Sequence, residues 1–326
     1  MTAVQYFHRS EVFALELGGK FSSLQLGYHT YGELNEARDN VIWVFHALTA
    51  NSDVLDWWSG LFGEGDLFSP KEYFIVCVNS IGSPYGSTAP EGLDFPKFTV
   101  RDVARSQLLL AEHLGIAKIK VAIGGSYGGS QALEFALAYS GTIDHLILIA
   151  CSARETAWGI AIHEAQRMAL TTDSSFGQAG GGQDGLKAAR AIGLLTYRTS
   201  EAFIETQSEE DDRVDNFKAA SYLQYQGEKI EARFNALSYY YLHRCLDTHN
   251  LGRDRGGIQK ALAQIDCPTL CIGIESDKLI PPHLQKQLAE GIPQGQYTEI
   301  TSRFGHDGFL IETEKLTHSI QDFLAS

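Results

Sequence analysis

A single serine stands between two pairs of glycines at Gly124-Gly125-Ser126-Tyr127-Gly128-Gly129. The apolar run Ile119–Ile123 leads into it, and a segment follows, Gln131 to Tyr139, whose one charge is Glu134. Glycine tolerates positive φ and close backbone approach. The pattern Gly124-x-Ser126-x-Gly128 between strand and helix is that of a nucleophile elbow, a strained turn that lifts a serine Oγ above a sheet. A helix N-terminus at this point also favours an anion, because free N–H groups collect there. A phosphate-cradling loop is the competing reading, and it fails because no lysine follows the glycines. A serine hydroxyl is a weak nucleophile at neutral pH, so the elbow demands a base, an acid and two N–H donors elsewhere in the chain.

Those partners need a scaffold. Short apolar runs at Val41–Phe45, Tyr73–Val78, Ile119–Ile123, Leu146–Ala150, Thr269–Ile274 and Tyr297–Ile300 alternate with helical patterns at Val103–Leu114, Gln131–Tyr139 and Leu284–Glu290. Such alternation predicts an α/β protein whose mostly parallel sheet carries helices on both faces. The first forty residues read as antiparallel strands, EVFALELG and LQLGYHTYGEL. One interval breaks the rhythm: about 115 residues separate Cys151 from Thr269, where a crossover needs only a dozen or so. It is helical by pattern at Thr156–Leu170, Gly185–Tyr197, Phe217–Phe234 and Leu237–Leu246, with a glycine-rich loop from Gly177 to Gly185. The expected organisation is a first core part at 1–152, a helical lid at 153–266 and a second core part at 267–326.

In the α/β-hydrolase order the acid and then the histidine follow the serine. After the next-to-last strand the chain reads PTLCIGIESDKLIPP, where Asp277 lies in a loop closed by Pro281-Pro282 and Glu275 sits at the strand end as a rival. After the last strand it reads ITSRFGHDGFL, and His306 is the one of eleven histidines placed where that order demands. His46, His113 and His145 read as strand-end or helix-surface residues. In this arrangement His306 takes the Ser126 proton and Asp277 fixes the imidazole tautomer. The oxyanion donors would be the N–H of Tyr127 and one from FHALTAN, best assigned to Leu48.

Composition narrows the partners. A net charge of −14 argues against nucleic acid and anionic membranes as general partners. No apolar run approaches the roughly 18 residues of a membrane span, and the start MTAVQYFHRSEVFALELGG has no signal-peptide pattern. The five cysteines (Cys77, Cys151, Cys245, Cys267 and Cys271) read as buried reduced thiols of a cytoplasmic protein. Cys267 and Cys271 lack the partners of a zinc site, so no metal is expected.

From about Tyr28 onward the chain resembles the homoserine O-acyltransferases, a family of the α/β-hydrolase superfamily. HALTANSDVLDWWSGLFG resembles the oxyanion segment, NSIGSPYGSTAP the next loop and GGSYGGSQALEFA the elbow. SARETAWGIAIHEAQRMA, ARAIGLLTYR and SYLQYQGEKIEARFNALSYYYL resemble lid helices, and ESDKLIPP and FGHDGFLIE the acid and histidine loops. The resemblance implies an acyl-CoA co-substrate, with acetyl the commoner acyl group, and no permanently bound cofactor. It also implies L-homoserine as acceptor and a homodimer joined through the lid, where Tyr222–Tyr225 and Tyr239–Tyr241 are candidate contacts. By the same resemblance Arg190 pairs with the homoserine carboxylate, Tyr197 lines its pocket and Asp307 holds the amino group. Arg190 and Tyr197 are nearly two helical turns apart and so share a face, and arginine suits bidentate carboxylate recognition. The chain departs from the family at Tyr127 and Ser130, where methionine is common. A succinyl donor, another hydroxyl acceptor, a plain ester hydrolase and a non-catalytic binding protein of the same fold are the alternatives.

Overall fold

Eight strands pair into one sheet in the computed structural model, which describes residues 3–326. They are β1 (Gln5–Arg9), β2 (Leu24–Tyr31), β3 (Val41–Phe45), β4 (Phe74–Val78), β5 (Ile119–Gly125), β6 (Ile143–Ile149), β7 (Thr269–Ile274) and β8 (Gly295–Ile300). The spatial order is β1-β2-β4-β3-β5-β6-β7-β8. The β1–β2 and β2–β4 pairs are antiparallel, and every pair from β4 to β8 is parallel. EVFALELG does not form the long strand its pattern suggests. Leu15 and Gly19 close a tight turn, so only Phe13–Ala14 pairs, with Lys20–Phe21. The edge strand is instead Gln5–Arg9.

Side chains alternate across a strand, and β3 shows what that does here. Trp43 and Phe45 join the core on one face while Ile42 and Val44 join the core on the other. Helices α1 (Val100–His113) and α2 (Tyr127–Ala138) cover the first face. Helix α1 starts three residues before the apolar pattern does, because Thr99 and Asp102 form a reciprocal capping box. Helix α2 starts immediately after Ser126 rather than at Gln131, since the elbow itself turns the chain into the helix.

The chain between β6 and β7 carries α3 (Ala157–Thr171), α4 (Gln183–Tyr197), α5 (Ser200–Gln207), α6 (Lys218–Glu231) and α7 (Ala236–Asp247). α5 has no strong apolar periodicity and was not expected; Thr199 caps it by accepting from Ala202 N–H. The glycine-rich loop ends sooner than its sequence suggests, and Asp173 accepts the N–H groups of Asp184 and Gly185 to cap α4. Ion pairs tie the segment to the sheet. Glu134 of α2, with a side chain 1% exposed, meets Arg101 at 3.2 Å and Arg255 at 2.7 Å. Breaking such a buried pair from one side typically costs about 3–5 kcal/mol.

Helices α8 (Pro282–Gly291) and α9 (Thr313–Leu324) complete the layers, with Leu316, Ile320 and Phe323 of α9 packed on the second face. All five cysteines are free and buried. No helix among the described residues is long and apolar enough to cross a membrane.

The elbow is packed against backbone on its inner side. A Cβ at Gly128 would lie 2.1 Å from the Phe45 carbonyl oxygen, a backbone atom with nowhere to retreat. Gly128→Ala is therefore expected to lower stability by about 1–3 kcal/mol, read as a fall in Tm. An unchanged Tm would contradict this close approach.

Candidate active site

Ser126 sits between β5 and α2 with φ 56° and ψ −124°. A non-glycine residue held there stores about 1–3 kcal/mol of strain. Its N–H donates to the Ile149 carbonyl at 2.9 Å, which anchors the turn to β6. Behind it lies a buried polar network. Trp43 Nε1 donates to Gln107, Gln107 to Gln131, and Gln131 to the His46 carbonyl. The first residue of α2 is Tyr127, so its N–H has no intrahelical acceptor.

The structure brings Ser126, His306 and Asp277 into one hydrogen-bonded line. His306 Nε2 is 2.7 Å from Ser126 Oγ, and His306 Nδ1 is 2.7 Å from Asp277 Oδ2. Asp277 Oδ1 accepts the N–H groups of Leu279 at 2.8 Å and Ile280 at 2.9 Å, so the carboxylate is held on both oxygens. Nδ1–H therefore donates to Asp277 and leaves Nε2 free to accept the serine proton. The loop needs Gly305 at φ 63°, where its N–H donates to Ser276 Oγ. Glu275 is exposed, and among the described residues only its backbone is engaged, its N–H donating to the Ile300 carbonyl.

His306 is 4% exposed. Burial alone would pull its pKa down. The charge and hydrogen bond of Asp277, with smaller help from Asp307 and Glu155, outweigh burial and hold it above the ordinary value of 6.5. The opposite holds for His46, which burial pushes down to about 4. Its Nδ1–H donates to the Ala47 carbonyl and Nε2 accepts from Ser80 N–H, a neutral structural imidazole just past β3. His113 ends α1 beside Phe7, and His145 lies within β6 rather than at its end, beside Phe323.

A cavity of about 370 Å³ opens over Ser126 and His306. Leu48, Arg190, Tyr197 and Asp307 all line it. The Tyr127 side chain does not; it is fully buried, with its hydroxyl 3.9 Å from Cys245 Sγ. Arg190 lies 5.8 Å from the centre of the Tyr197 ring and has no carboxylate at ion-pair distance among the described residues. Burial raises the Tyr197 pKa, so the phenol stays protonated, and the hydroxyl of nearby Tyr239 donates to Gln166 Oε1 at 2.5 Å. Asp307 is partly engaged already, because Arg198 Nε meets its Oδ2 at 3.1 Å. That partner was not foreseen from sequence.

Two further lining groups escaped the sequence reading, Glu155 and His163. Glu155 Oε1 accepts from Thr156 N–H at 2.7 Å, and burial raises its pKa. His163 Nδ1 is 2.7 Å from Asp247 Oδ1, and Asp247 Oδ2 is 2.7 Å from Arg167. Helical spacing gave no signal for the pair, because Glu155 precedes Thr156, the N-cap of α3, and lies outside its periodicity. Of the aromatics expected at a dimer contact, Tyr239 and Tyr241 are buried within their own chain, whereas Tyr225 is 57% exposed.

A serine elbow above a parallel sheet, an imidazole and a carboxylate in that chain order define an α/β-hydrolase-fold protein, and residues 40–313 match the alpha/beta hydrolase fold family. A homoserine O-acetyltransferase of Cyclobacterium marinum is 44% identical over 98% of this chain and 94% of its own. The crystal structure of a homoserine O-acetyltransferase from Staphylococcus aureus is 29% identical and superimposes with a TM-score of 0.83, covering 98% of this chain and 95% of that one. The chain belongs to the homoserine O-acetyltransferase family. The fold is shared more widely: esterase E22 superimposes with a TM-score of 0.90 at 23% identity, over 99% of this chain and all of that one.

Because Asp307 helps to raise the His306 pKa, Asp307→Asn is expected to move the imidazole titration to lower pH. An NMR titration of the His306 ring checks this. A midpoint equal to or above that of the unsubstituted protein would contradict the assigned cause.

Proposed function

We propose that the protein transfers an acetyl group from acetyl-CoA to the hydroxyl of L-homoserine through an acyl-Ser126 intermediate, a step of methionine biosynthesis. The observation that carries this reading is an unpaired guanidinium, Arg190, in the same cavity as the Ser126–His306–Asp277 line. An ester hydrolase has no use for a cation awaiting a carboxylate beside its nucleophile. The names of the curated relatives support the same donor and acceptor.

Ser126 Oγ attacks the thioester carbonyl as His306 Nε2 takes its proton. Negative charge on the tetrahedral oxygen meets the N–H groups of Tyr127 and Leu48, donors worth about 10²–10³ in rate each. The thiolate of CoA leaves with the proton from His306, and the acyl-serine remains. Homoserine then places its carboxylate on Arg190, packs beside Tyr197 and sets its ammonium near Asp307. Its hydroxyl gives a proton to His306 and attacks the acyl carbon. Collapse releases O-acetylhomoserine and returns the proton to Ser126.

Water at about 55 M competes with homoserine in the second half, so positioning must win; effective molarities of about 10⁵ M or more are within reach of a clamped acceptor. Residues 153–266 act as a lid that excludes water and carries the clamp. The enzyme works in the cytoplasm as a homodimer joined through that lid, whose helices expose Trp158, Leu195, Ile204 and Tyr225.

Ser126→Ala is expected to lower turnover by about 10⁴-fold or more without unfolding the protein. Arg190→Ala is expected to raise the KM for homoserine about 10- to 100-fold, the loss of a charge-assisted pair, and to change cleavage of a simple acetyl ester far less. Free thiol is followed from acetyl-CoA with and without homoserine. Release that ignores the acceptor, or equal losses in both assays for Arg190→Ala, would favour the hydrolase. The rate must also rise with pH through the raised His306 pKa, since only neutral imidazole accepts a proton.

A further inference from the structure

Coenzyme A has two chemically different halves: an uncharged pantetheine arm ending in the thiol, and a nucleotide half carrying a pyrophosphate and a ribose phosphate. The cavity over Ser126, at about 370 Å³, holds an acyl group, an acceptor and the end of the arm, but not the nucleotide half as well. The phosphates must therefore lie at the mouth or beyond it.

Two exposed cations line that cavity, Lys229 in the last turn of α6 and Arg233 just past its end. Both face the same cavity. Neither has a carboxylate at ion-pair distance among the described residues. Some cations of the helical segment are neutralised locally, Lys187 by Asp184 and Glu231, Arg213 by Glu209 and Asp211, Lys218 by Glu210, and Arg190, which lines the same cavity, is not, among the described residues. In a chain of net charge −14, Lys229 and Arg233 concentrate two positive charges without carboxylate partners among the described residues at one cavity. Arg233 donates to the Thr49 carbonyl and to the Tyr85 hydroxyl, neutral acceptors that hold its charge in place beside the oxyanion loop. A lysine in a last helical turn also suits the helix dipole, but that leaves Arg233 unexplained. Asp56, the exposed carboxylate of the same lining, pairs with neither cation.

We infer that Lys229 and Arg233 form a phosphate subsite for the nucleotide half of the acyl-CoA donor. The inference rests on the acyl-CoA reading above. Exposed cations attract phosphates by charge, and added salt weakens that attraction.

Calorimetric titration with CoA and with pantetheine, which lacks the nucleotide half, tests it directly. The unsubstituted protein is expected to bind CoA more tightly than pantetheine. Lys229→Glu is expected to weaken CoA binding about tenfold, the reversal of a charge facing a polyanion, while pantetheine binding moves less than about twofold. Arg233→Ala is expected to narrow the same preference. Equal weakening of both ligands, or none, overturns the subsite. CoA binding that depends on Lys229 without homoserine-dependent thiol release keeps the subsite and removes the transferase reading. Thiol release with no preference for CoA over pantetheine does the reverse.

Discussion

One buried imidazole sets the terms for this molecule. His306 lies between a hydroxyl and a carboxylate, each 2.7 Å away, and is nearly closed off from water. Burial disfavours its charged form, and the neighbouring carboxylates favour it. The balance keeps the ring able to accept a proton and then to hold it, which proton transfer in two directions requires. A ring turned by a few tens of degrees would lose one partner or the other, so the surroundings are built to prevent rotation. Asp277 is fixed by two backbone N–H groups, Gly305 sets the loop, and the elbow fixes the serine.

The sheet and the helical segment divide the labour. Strands β5, β7 and β8 lead into the loops that present Ser126, Asp277 and His306, and the fold that carries them is shared with esterase E22. Arg190, Tyr197, Glu155 and His163 come from the chain between β6 and β7. In the proposed reading, choice of acceptor therefore belongs to helices that the sheet does not dictate. Ion pairs from Arg101, Arg253 and Arg255 to Glu16 and Glu134 hold the sheet and that segment together. The proposed clamp on α4 can serve Ser126, just past β5, only if the two parts keep their separation.

Local patterns made much of this legible. The parallel strands from Val41 to Phe45 and from Thr269 to Ile274 are continuous apolar runs, because a strand buried on both faces has no polar side to show. EVFALELG misled for the opposite reason: its alternation suits a strand, but a turn at Leu17-Gly18-Gly19 folds it back on itself. α5 stayed hidden because its helix is short, mostly polar and defined by a cap. In the site, the residues flanked by glycines at strand ends were readable. Glu155 and Arg198 were not, since nothing in their own neighbourhoods marks them, and their meaning comes from His306, Asp307 and a shared cavity.

Sequence by itself determined the chemistry available: one serine in a glycine-bound turn, an acid and a histidine in a known order, and a long helical interval for which a simple crossover has no use. Chain order and residue type are local properties, and a strand-to-helix turn declares itself within a dozen residues. Only the tertiary structure decided between Asp277 and Glu275, engaged Asp307 with Arg198, and left Arg190, Lys229 and Arg233 without carboxylates among the described residues. Pairing of charges depends on distances between segments far apart in the chain. Those distances are set by packing on both faces of the sheet, which no single stretch of sequence contains.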